Sequence, residues 1–145
     1  MTLLPRAARL ALMATLDIAL HARARPVSSR QLAARYDLPP RRLESLLQAL
    51  VRAGVLRSLR GPLGGYELAR ERRRLTLAEI TQVALRAEAE EEGRDAVEKR
   101  LDGVLEEIEA ELYARLERIS LDDLAARAAR IGYGATEDAG GDFAI

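Results

Sequence analysis

The sequence contains no cysteine and a single histidine, His21, among its 145 residues. The absence of cysteine excludes disulfides, thiol-based redox sensing and thiolate-ligated metal clusters. A zinc or iron site would have to take its other ligands from carboxylates, which is uncommon for structural metals. No apolar run has the length that crosses a bilayer, and the most apolar stretch, residues 10–20, carries Asp17 and is followed by no signal-peptide cleavage site. We therefore expect a cytoplasmic protein that has no metal or other cofactor.

The formal net charge is zero, but the two halves of the chain have opposite charge. Residues 1–75 contain 15 arginines and 5 acidic residues, a balance of +10, whereas residues 76–145 contain 8 basic and 18 acidic residues, a balance of −10. Lysine is nearly absent, so biased codon usage explains why the basic residues are arginine. It does not explain why the acidic residues collect in the second half. The basic half favours a polyanionic partner.

The first half of the chain has the pattern of three helices. Apolar residues at helical spacing predict a mostly buried helix over residues 4–22. The pair Ser28 and Gln31 forms a capping box that starts a second helix, which is expected to stop near Asp37. A third helix is predicted to begin at Pro39 and Pro40 and to end at Gly54. Its apolar stripe is Leu43, Leu46, Leu47, Leu50 and Val51.

Two short strands are predicted next, at residues 55–58 and 66–68, around the breaker-rich turn Gly61-Pro62-Leu63-Gly64-Gly65. Three helices followed by a hairpin is the order of a winged helix-turn-helix. The predicted fold class is therefore mainly α: a winged helix-turn-helix (three helices plus a two-stranded β wing) with a long dimerisation helix.

The second half predicts a fourth helix from Thr76, a charged break over residues 88–93, a long helix over residues 96–119 and a last helix from Ser120 to Gly132. We expect three parts: a DNA-binding winged helix-turn-helix domain at residues 1–75, a helical dimerisation region at residues 76–132 and a flexible C-terminal tail at residues 133–145. The apolar steps along the long helix suit a helix–helix seam but not a sustained coiled coil. The predicted dimerisation residues are Val97, Leu101, Val104, Ile108, Leu112 and Leu116.

The third helix carries polar side chains off its apolar stripe, near its N-terminus, where a recognition helix meets base edges. Arginine pairs with guanine, and a glutamate accepts from the cytosine amino group. An ordinary solvated helix face is the alternative. The arginine-bearing hairpin that follows favours DNA, because a narrow wing enters the minor groove and its glycines allow close approach to phosphates. The predicted DNA-binding residues are Ser29, Arg41, Arg42, Glu44, Ser45, Gln48, Arg57, Ser58, Arg60, Gly61, Gly64 and Tyr66.

Two other interpretations of these residues are weaker. A phosphate-binding glycine loop would need a G-x-G-x-x-G or Walker-type pattern and a following helix, and neither is present. An enzyme is disfavoured because the acidic pairs Glu106/Glu107 and Asp122/Asp123 lie at exposed helix positions and His21 has no evident serine or cysteine partner. We therefore expect no catalytic residues.

The segment Arg60–Ala69, RGPLGGYELA, resembles the R-G-x-x-G-G-Y-x-L-A wing signature of the Rrf2 family of bacterial winged helix-turn-helix transcriptional regulators. Residues 43–54 resemble the family's recognition helix, residues 9–20 its first helix and residues 119–124 the segment after its dimer helix. The resemblance spans about residues 3–130. It implies a homodimer with crossed long helices on a pseudo-palindromic operator, with Glu44 reading bases and Arg60 in the minor groove.

The chain departs from this pattern in the sensing region. Cluster-binding members place three cysteines between the fourth helix and the dimer helix, where this chain has residues 86–95 without cysteine. Some take a fourth ligand from the first helix, at the position of Arg9 here. In addition, Ser45 stands where glutamine is frequent, and Pro39, Pro40 and Arg41 occupy further DNA-contacting positions. The resemblance is thus to a cysteine-less member without the iron–sulfur ligands.

The sequence predicts a repressor-type regulator whose partners are double-stranded DNA and a second copy of the chain. It leaves open whether a small-molecule effector, a protein partner or a modification controls binding, or whether the protein binds DNA constitutively. One alternative is a protein-interaction adaptor that uses the winged-helix module for docking, and another is a ligand pocket between the fourth helix and the dimer helix. Operator, target genes and the sign of regulation cannot be carried over from the family.

Overall fold

A computed structural model of the protein describes residues 3–22, 25–92 and 98–133. In chain order its elements are α1 (Arg6–His21), α2 (Ser29–Tyr36), α3 (Pro40–Arg52), β1 (Leu56–Leu59), β2 (Gly65–Leu68), a 3₁₀ turn (Arg72–Arg74), α4 (Leu77–Glu92), α5 (Glu98–Glu117) and α6 (Leu121–Arg130). Three helices and a two-stranded antiparallel sheet are followed by three more helices. The predicted winged helix-turn-helix with a long additional helix is confirmed.

Helix α1 forms the centre of the core and packs most extensively against α4. Ala8, Ala11 and Ala14 are fully buried on it, and these small side chains allow another helix to come close. Ile18 on α1 and Ile80 on α4 are also fully buried, in one cluster that includes residues from α2, α3 and α6. The core therefore extends across the predicted domain boundary at residue 75, and that division stays a prediction.

Helix α2 begins and ends as the sequence predicts. The Ser28 amide donates to Gln31 Oε1 at 2.9 Å, and the Gln31 amide donates to Ser28 Oγ at 3.1 Å, which completes the capping box. Val27 and Leu32 are both buried beside it. The helix ends at Asp37, whose φ of 50° is left-handed and turns the chain towards α3.

Helix α3 is held at both ends by local structure. Pro40 occupies its first position, where the missing N–H costs nothing. At the other end Gly54 has a φ of 77°, and its amide donates to the Val51 carbonyl while the Val55 amide donates to the Leu50 carbonyl. This pair of bonds is a Schellman motif, so the predicted glycine cap is confirmed. Between the ends, the leucine stripe of the third helix is buried.

The wing is a hairpin in which Leu56 pairs with Leu68 and Leu59 pairs with Gly65, so both strands match the prediction within a residue. A third segment joins it: the Val27 amide donates to the Tyr66 carbonyl at 3.0 Å, and the Tyr66 amide donates to the Val27 carbonyl at 2.8 Å. This bridge attaches the wing to the chain that enters α2. The second strand of the hairpin therefore attaches the wing to the helix-turn-helix.

The C-terminal helices return to the same core. The Leu121 amide donates to the Leu75 carbonyl at 2.7 Å, and the Leu77 amide donates to the Ile119 carbonyl at 2.9 Å, so the starts of α4 and α6 are joined. Ser120 and Asp123 form a reciprocal capping box at the start of α6. In the residues that the structure describes, no helix is both long and apolar enough to cross a membrane.

One predicted boundary is wrong. The expected break over residues 88–93 is helical as far as Glu92, because alanine and glutamate are strong helix formers and the first breaker is Gly93. The like charges of this stretch do not outweigh that preference. The long helix, predicted from residue 96, is described from Glu98, and residues 93–97 lie outside the described part of the chain.

Candidate nucleic-acid interface

Helix α3 presents one polar face to solvent. Arg41, Arg42, Glu44, Ser45 and Gln48 are all exposed, as the sequence predicts from their positions off the leucine stripe. The helix has no side-chain cap at its N-terminus, so amides of its first turn and the positive end of its dipole face outward with the two arginines. This end of α3 therefore combines formal and partial positive charge.

Two arginines beside this face were not among the predicted contacts. Arg52 is exposed four residues after Gln48. This helical spacing puts both residues on the same side of α3 and could have predicted Arg52 as a contact. Arg30 is exposed in the first turn of α2, next to the predicted Ser29, which is half-buried. The helix-turn-helix therefore has exposed cations on both of its helices.

The wing carries Arg60 at the end of its first strand. Arg60 and Gly61 are exposed, and the Gly64 amide donates to the Gly61 carbonyl at 2.9 Å to close a four-residue turn. Leu63 stands at the tip of that turn and is 72% exposed. The tip is thus a narrow protrusion with a cation on one side and an apolar group at its end.

The charge of Arg57 is less available to a ligand than that of Arg60. The register places it opposite Glu67, and its Nε donates to Glu67 Oε1 at 2.8 Å, so its charge is partly compensated within the hairpin. Ser58, its neighbour, is exposed and pairs with Tyr66. Of the two wing arginines, Arg60 is the better candidate for contact with a polyanion.

Tyr66 links the wing to α3. Its side chain is 8% exposed, and its hydroxyl accepts a hydrogen bond from Gln48 Nε2 at 3.3 Å. Both residues were predicted to contact DNA. The structure gives Tyr66 a position in the core beneath Gln48, from which it orients that amide.

Packing within the protein requires glycine at two positions of the wing. A Cβ built on Gly65 would lie 2.6 Å from the Val27 carbonyl oxygen, and one on Gly64 would collide with the Leu59 carbonyl oxygen. Gly61 has a φ of 106° and open space around it. At Gly64 and Gly65 the close approach is therefore to other backbone atoms of the protein, whereas the prediction was a close approach to phosphates.

The arginines of this surface are mostly uncompensated. Within the described part of the chain, no ion pair involves Arg30, Arg41, Arg42, Arg52 or Arg60. Glu44 is the carboxylate that lies among the α3 cations. Helix α3, the start of α2 and the wing tip thus each expose arginines, and these three parts are called the cationic surface; Glu44 is an exposed acidic side chain among the arginines of α3.

A polar cluster around the buried Asp17 links α1 to α2. Asp17 of α1 is 1% exposed, accepts a hydrogen bond from the Tyr36 hydroxyl at 2.9 Å and pairs with Arg35 of α2. The Tyr36 hydroxyl has one hydrogen and gives it to Asp17, so the Tyr133 hydroxyl, 2.8 Å away, is the donor to Tyr36. The sequence predicts no role for Asp17 in such a cluster.

The pKa of Tyr36 is raised above its ordinary range. Burial is the largest cause, followed by the hydrogen bond with Tyr133 and the negative charge of Asp17. The Tyr36 phenol therefore stays protonated in the folded protein, which preserves the hydrogen bond that it gives to Asp17.

The predicted dimerisation residues lie on α5 wherever they are described. Val104, Ile108 and Leu112 are exposed, whereas Leu116 is half-buried against the core. Val97 lies outside the described residues, and of Leu101 only the helical backbone is described. In this chain α5 therefore exposes an apolar stripe.

The helices, the hairpin and the cationic surface define a winged helix-turn-helix protein. The chain belongs to the Rrf2 family, whose model, described as that of iron-dependent transcriptional regulators, matches residues 4–127. This is a family of transcriptional regulators and not of enzymes, in agreement with the expectation of no catalytic residues.

Individual relatives agree with this assignment. The structure of IscR from T. potens is 31% identical, with a TM-score of 0.68 over 88% of each chain. The structure of CymR, the global cysteine regulator of B. subtilis, is 24% identical, with a TM-score of 0.66 over 88% of this chain and 98% of CymR, and shows the same fold. IscR of Xenorhabdus nematophila is 39% identical over 72 residues, which are 50% of this chain and 44% of that regulator. The match thus covers less than half of that relative.

The donor atoms of this chain do not fit an iron–sulfur cluster, although the family description refers to iron. No cysteine exists anywhere in the sequence, and thiolates are the usual cluster ligands. His21 Nδ1 lies 2.9 Å from the Asp17 carbonyl oxygen and so is engaged within α1. Among the described residues, no group of three or more histidine or carboxylate side chains is arranged to hold a metal ion. The chain lacks the chemistry for the cluster.

Proposed function

We propose that this protein is a sequence-specific DNA-binding transcriptional regulator that acts as a homodimer on a pseudo-palindromic operator and needs no iron–sulfur cluster. The observation that carries the proposal is the exposed polar face of α3 beside a wing whose Arg60 has no carboxylate partner in the described part of the chain. We place its action in the cytoplasm, where bacterial DNA lies.

The proposed base readout is by α3. Glu44 is positioned to accept from a cytosine amino group, and Arg41 or Arg42 to donate to a guanine or a phosphate, with the α3 leucine stripe fixing the helix beneath them. Gln48, held by Tyr66, offers an oriented amide to an adenine edge. Ser29 and Arg30 at the start of α2 are suited to the DNA backbone.

The proposed role of the wing is to insert into the minor groove. Its tip is narrow because the Gly61–Gly64 turn is closed by one hydrogen bond, and Arg60 stands at its base. Negative potential in a narrow minor groove attracts an arginine. Arg57, paired with Glu67, contributes to the shape of the hairpin more than to its charge.

Dimerisation is proposed along α5. The exposed side chains of Val104, Ile108 and Leu112 follow a helical repeat and form an apolar stripe, which a second copy would bury. In this proposal residues 1–75 bind DNA, residues 76–132 hold the dimer, and a symmetric dimer reads a symmetric site. Repression follows if the operator overlaps a promoter.

The test is capture of genomic fragments by the purified, metal-free protein, followed by sequencing. Enrichment of one palindrome beside a few promoters is expected. Affinity for that palindrome should fall steeply with salt, because phosphate contacts release counterions. Capture of a protein partner and of no DNA would instead support the adaptor alternative and overturn the proposal.

Arg60→Ala is expected to weaken binding to the captured operator by roughly 1–3 kcal/mol, the range for a specific groove contact. Arg130→Ala is the matched control, since it removes an exposed arginine from the end of α6 and leaves the proposed interface unchanged. Equal affinities of the two variants would remove Arg60 from the interface.

A further inference from the structure

A small cleft lies between α1 and the turn that joins α2 to α3. Its volume is about 150 Å³, and it is lined by Arg6, Arg9, Leu10, Met13, Tyr36 and Leu38. The cleft is distinct from the outward face of α3 and from the wing. The proposed DNA-binding function does not use it.

The cleft combines unpaired positive charge with uncovered apolar surface. Arg6 and Arg9 are exposed, and in the part of the chain that the structure describes neither forms an ion pair. Met13 is 37% exposed, although most of α1 around it is buried. A cavity of about 150 Å³ accommodates a benzene ring. The chemistry therefore fits a ligand that has carboxylates next to one aromatic group.

The described part of the chain ends beside this cleft. Tyr133, its last residue, donates a hydrogen bond to the hydroxyl of Tyr36, and Tyr36 lines the cleft. The twelve residues that follow, 134–145, have a maximum reach of roughly 40 Å at about 3.3–3.6 Å per residue. Every position in the cleft is thus within reach of that segment.

The composition of residues 134–145 matches the cleft. The segment contains Glu137, Asp138 and Asp142 and no basic residue, and it contains Phe143, the single phenylalanine of the protein. Carboxylates next to an aromatic ring are what the lining of the cleft favours. A tethered segment also binds at a high effective concentration, so weak contacts suffice.

We propose that residues 134–145 dock in this cleft of their own chain, with the acidic side chains facing Arg6 and Arg9 and the Phe143 ring against Leu10, Met13 and Leu38. The docked segment would cover the turn between α2 and α3, because Tyr36 and Leu38 line the cleft. It would thereby brace the orientation of the two helices of the helix-turn-helix. The inference goes beyond the proposed function, and neither of its tests involves DNA.

The first test is a disulfide trap in the full chain, which has no native cysteine to interfere. The variant Met13→Cys with Phe143→Cys is oxidised, and the cross-link is identified by peptide mass spectrometry and by migration on a non-reducing gel. Leu63→Cys with Phe143→Cys is the control, because Leu63 is exposed at the wing tip outside the cleft. An intrachain cross-link that forms several times faster than in the control is expected.

Equal rates in the two double variants would overturn the proposal. A cross-link between an equal mixture of the Met13→Cys and Phe143→Cys single variants, faster than the intrachain one, would overturn docking within one chain and assign the cleft to a second copy. Neutralising the segment with Glu137→Gln and Asp138→Asn is expected to slow the intrachain cross-link, as would added salt.

The second test leaves the cleft residues intact. The chain has two methionines, so a spectrum of methyl-labelled methionine shows two signals, and Met13 is assigned with Met13→Leu. Phe143→Leu keeps an apolar side chain but removes the ring current. A shift of the Met13 methyl signal on this change is expected, with Phe143→Ala giving the same direction. An unchanged Met13 signal in both variants would overturn the proposal.

Discussion

Gln48 on α3 and Tyr66 on the second wing strand are joined by a hydrogen bond of 3.3 Å, from the amide nitrogen of one to the hydroxyl of the other. The backbone of Tyr66 is in turn paired with Val27, which precedes α2. One tyrosine therefore ties together the two helices of the helix-turn-helix and the wing. In the proposed function, the relative positions of α3 and the wing determine which operator both can contact.

Tyr66→Phe is expected to lower operator affinity by roughly 0.5–1.5 kcal/mol, the net value of one hydrogen bond, because the Gln48 amide loses its partner. Tyr113→Phe is the control, since it removes a similar hydrogen bond, of 2.9 Å to Gln82, far along the chain from the interface. The measurement is titration of a labelled operator at constant salt. If both variants bind as the unaltered protein does, the Tyr66 hydroxyl has no role in orienting the interface.

Gly65→Ala is expected to destabilise the fold by roughly 1–3 kcal/mol, because the new Cβ would lie 2.6 Å from the Val27 carbonyl oxygen and would separate the wing from α2. Gly103→Ala, in open space on α5, should have the opposite sign and stabilise by about 0.5–1 kcal/mol through helix propensity. Urea unfolding at one fixed protein concentration measures both. Equal effects on the midpoint would contradict the close approach at Gly65.

Local patterns in the sequence predict the elements of this fold well. The capping box at Ser28, the leucine stripe of α3 and the glycine cap at Gly54 are each encoded within a few residues, and the structure confirms them. The signature around Arg60 predicts the wing because its turn residues have fixed geometric roles. The exposed face of α3 is predictable because it consists of the residues that lie off the buried leucine stripe.

Contacts between distant segments were not predictable in the same way. The bridge between Val27 and Tyr66 and the hydroxyl pair of Tyr36 and Tyr133 join residues far apart in the chain, and no local periodicity encodes them. The pairing of Arg57 with Glu67 depends on the hairpin register, which only the turn geometry fixes. The stretch before Gly93 is helical although its charges are clustered, because its alanines and glutamates favour the helix.

Alkaline stability should depend on Tyr36. In the unfolded chain its phenol ionises near pH 10, whereas in the folded protein burial, Tyr133 and Asp17 raise its pKa and keep the proton bound. The unfolded state therefore binds fewer protons than the folded state above about pH 10, and the free energy of unfolding falls as the pH rises. Tyr36→Phe should flatten this dependence, because it removes the group whose pKa differs between the two states. The measurement is urea unfolding at a series of alkaline pH values, and parallel curves for the unaltered protein and Tyr36→Phe would contradict it.

Ile108→Glu on α5 is expected to yield a folded monomer that loses most of its affinity for the palindromic operator. Ile108 is 65% exposed in the single chain, so a charge there is tolerated by the monomer but would be buried without a partner in a dimer. Ile131→Glu is the matched control, because Ile131 is 83% exposed at the end of α6, off the proposed seam. Sedimentation velocity gives the oligomeric state, and circular dichroism confirms the fold. If Ile108→Glu remains dimeric, the second copy does not pack along this stripe; if it is monomeric yet binds the full palindrome as tightly as before, the symmetric readout proposed for the two α3 helices is wrong.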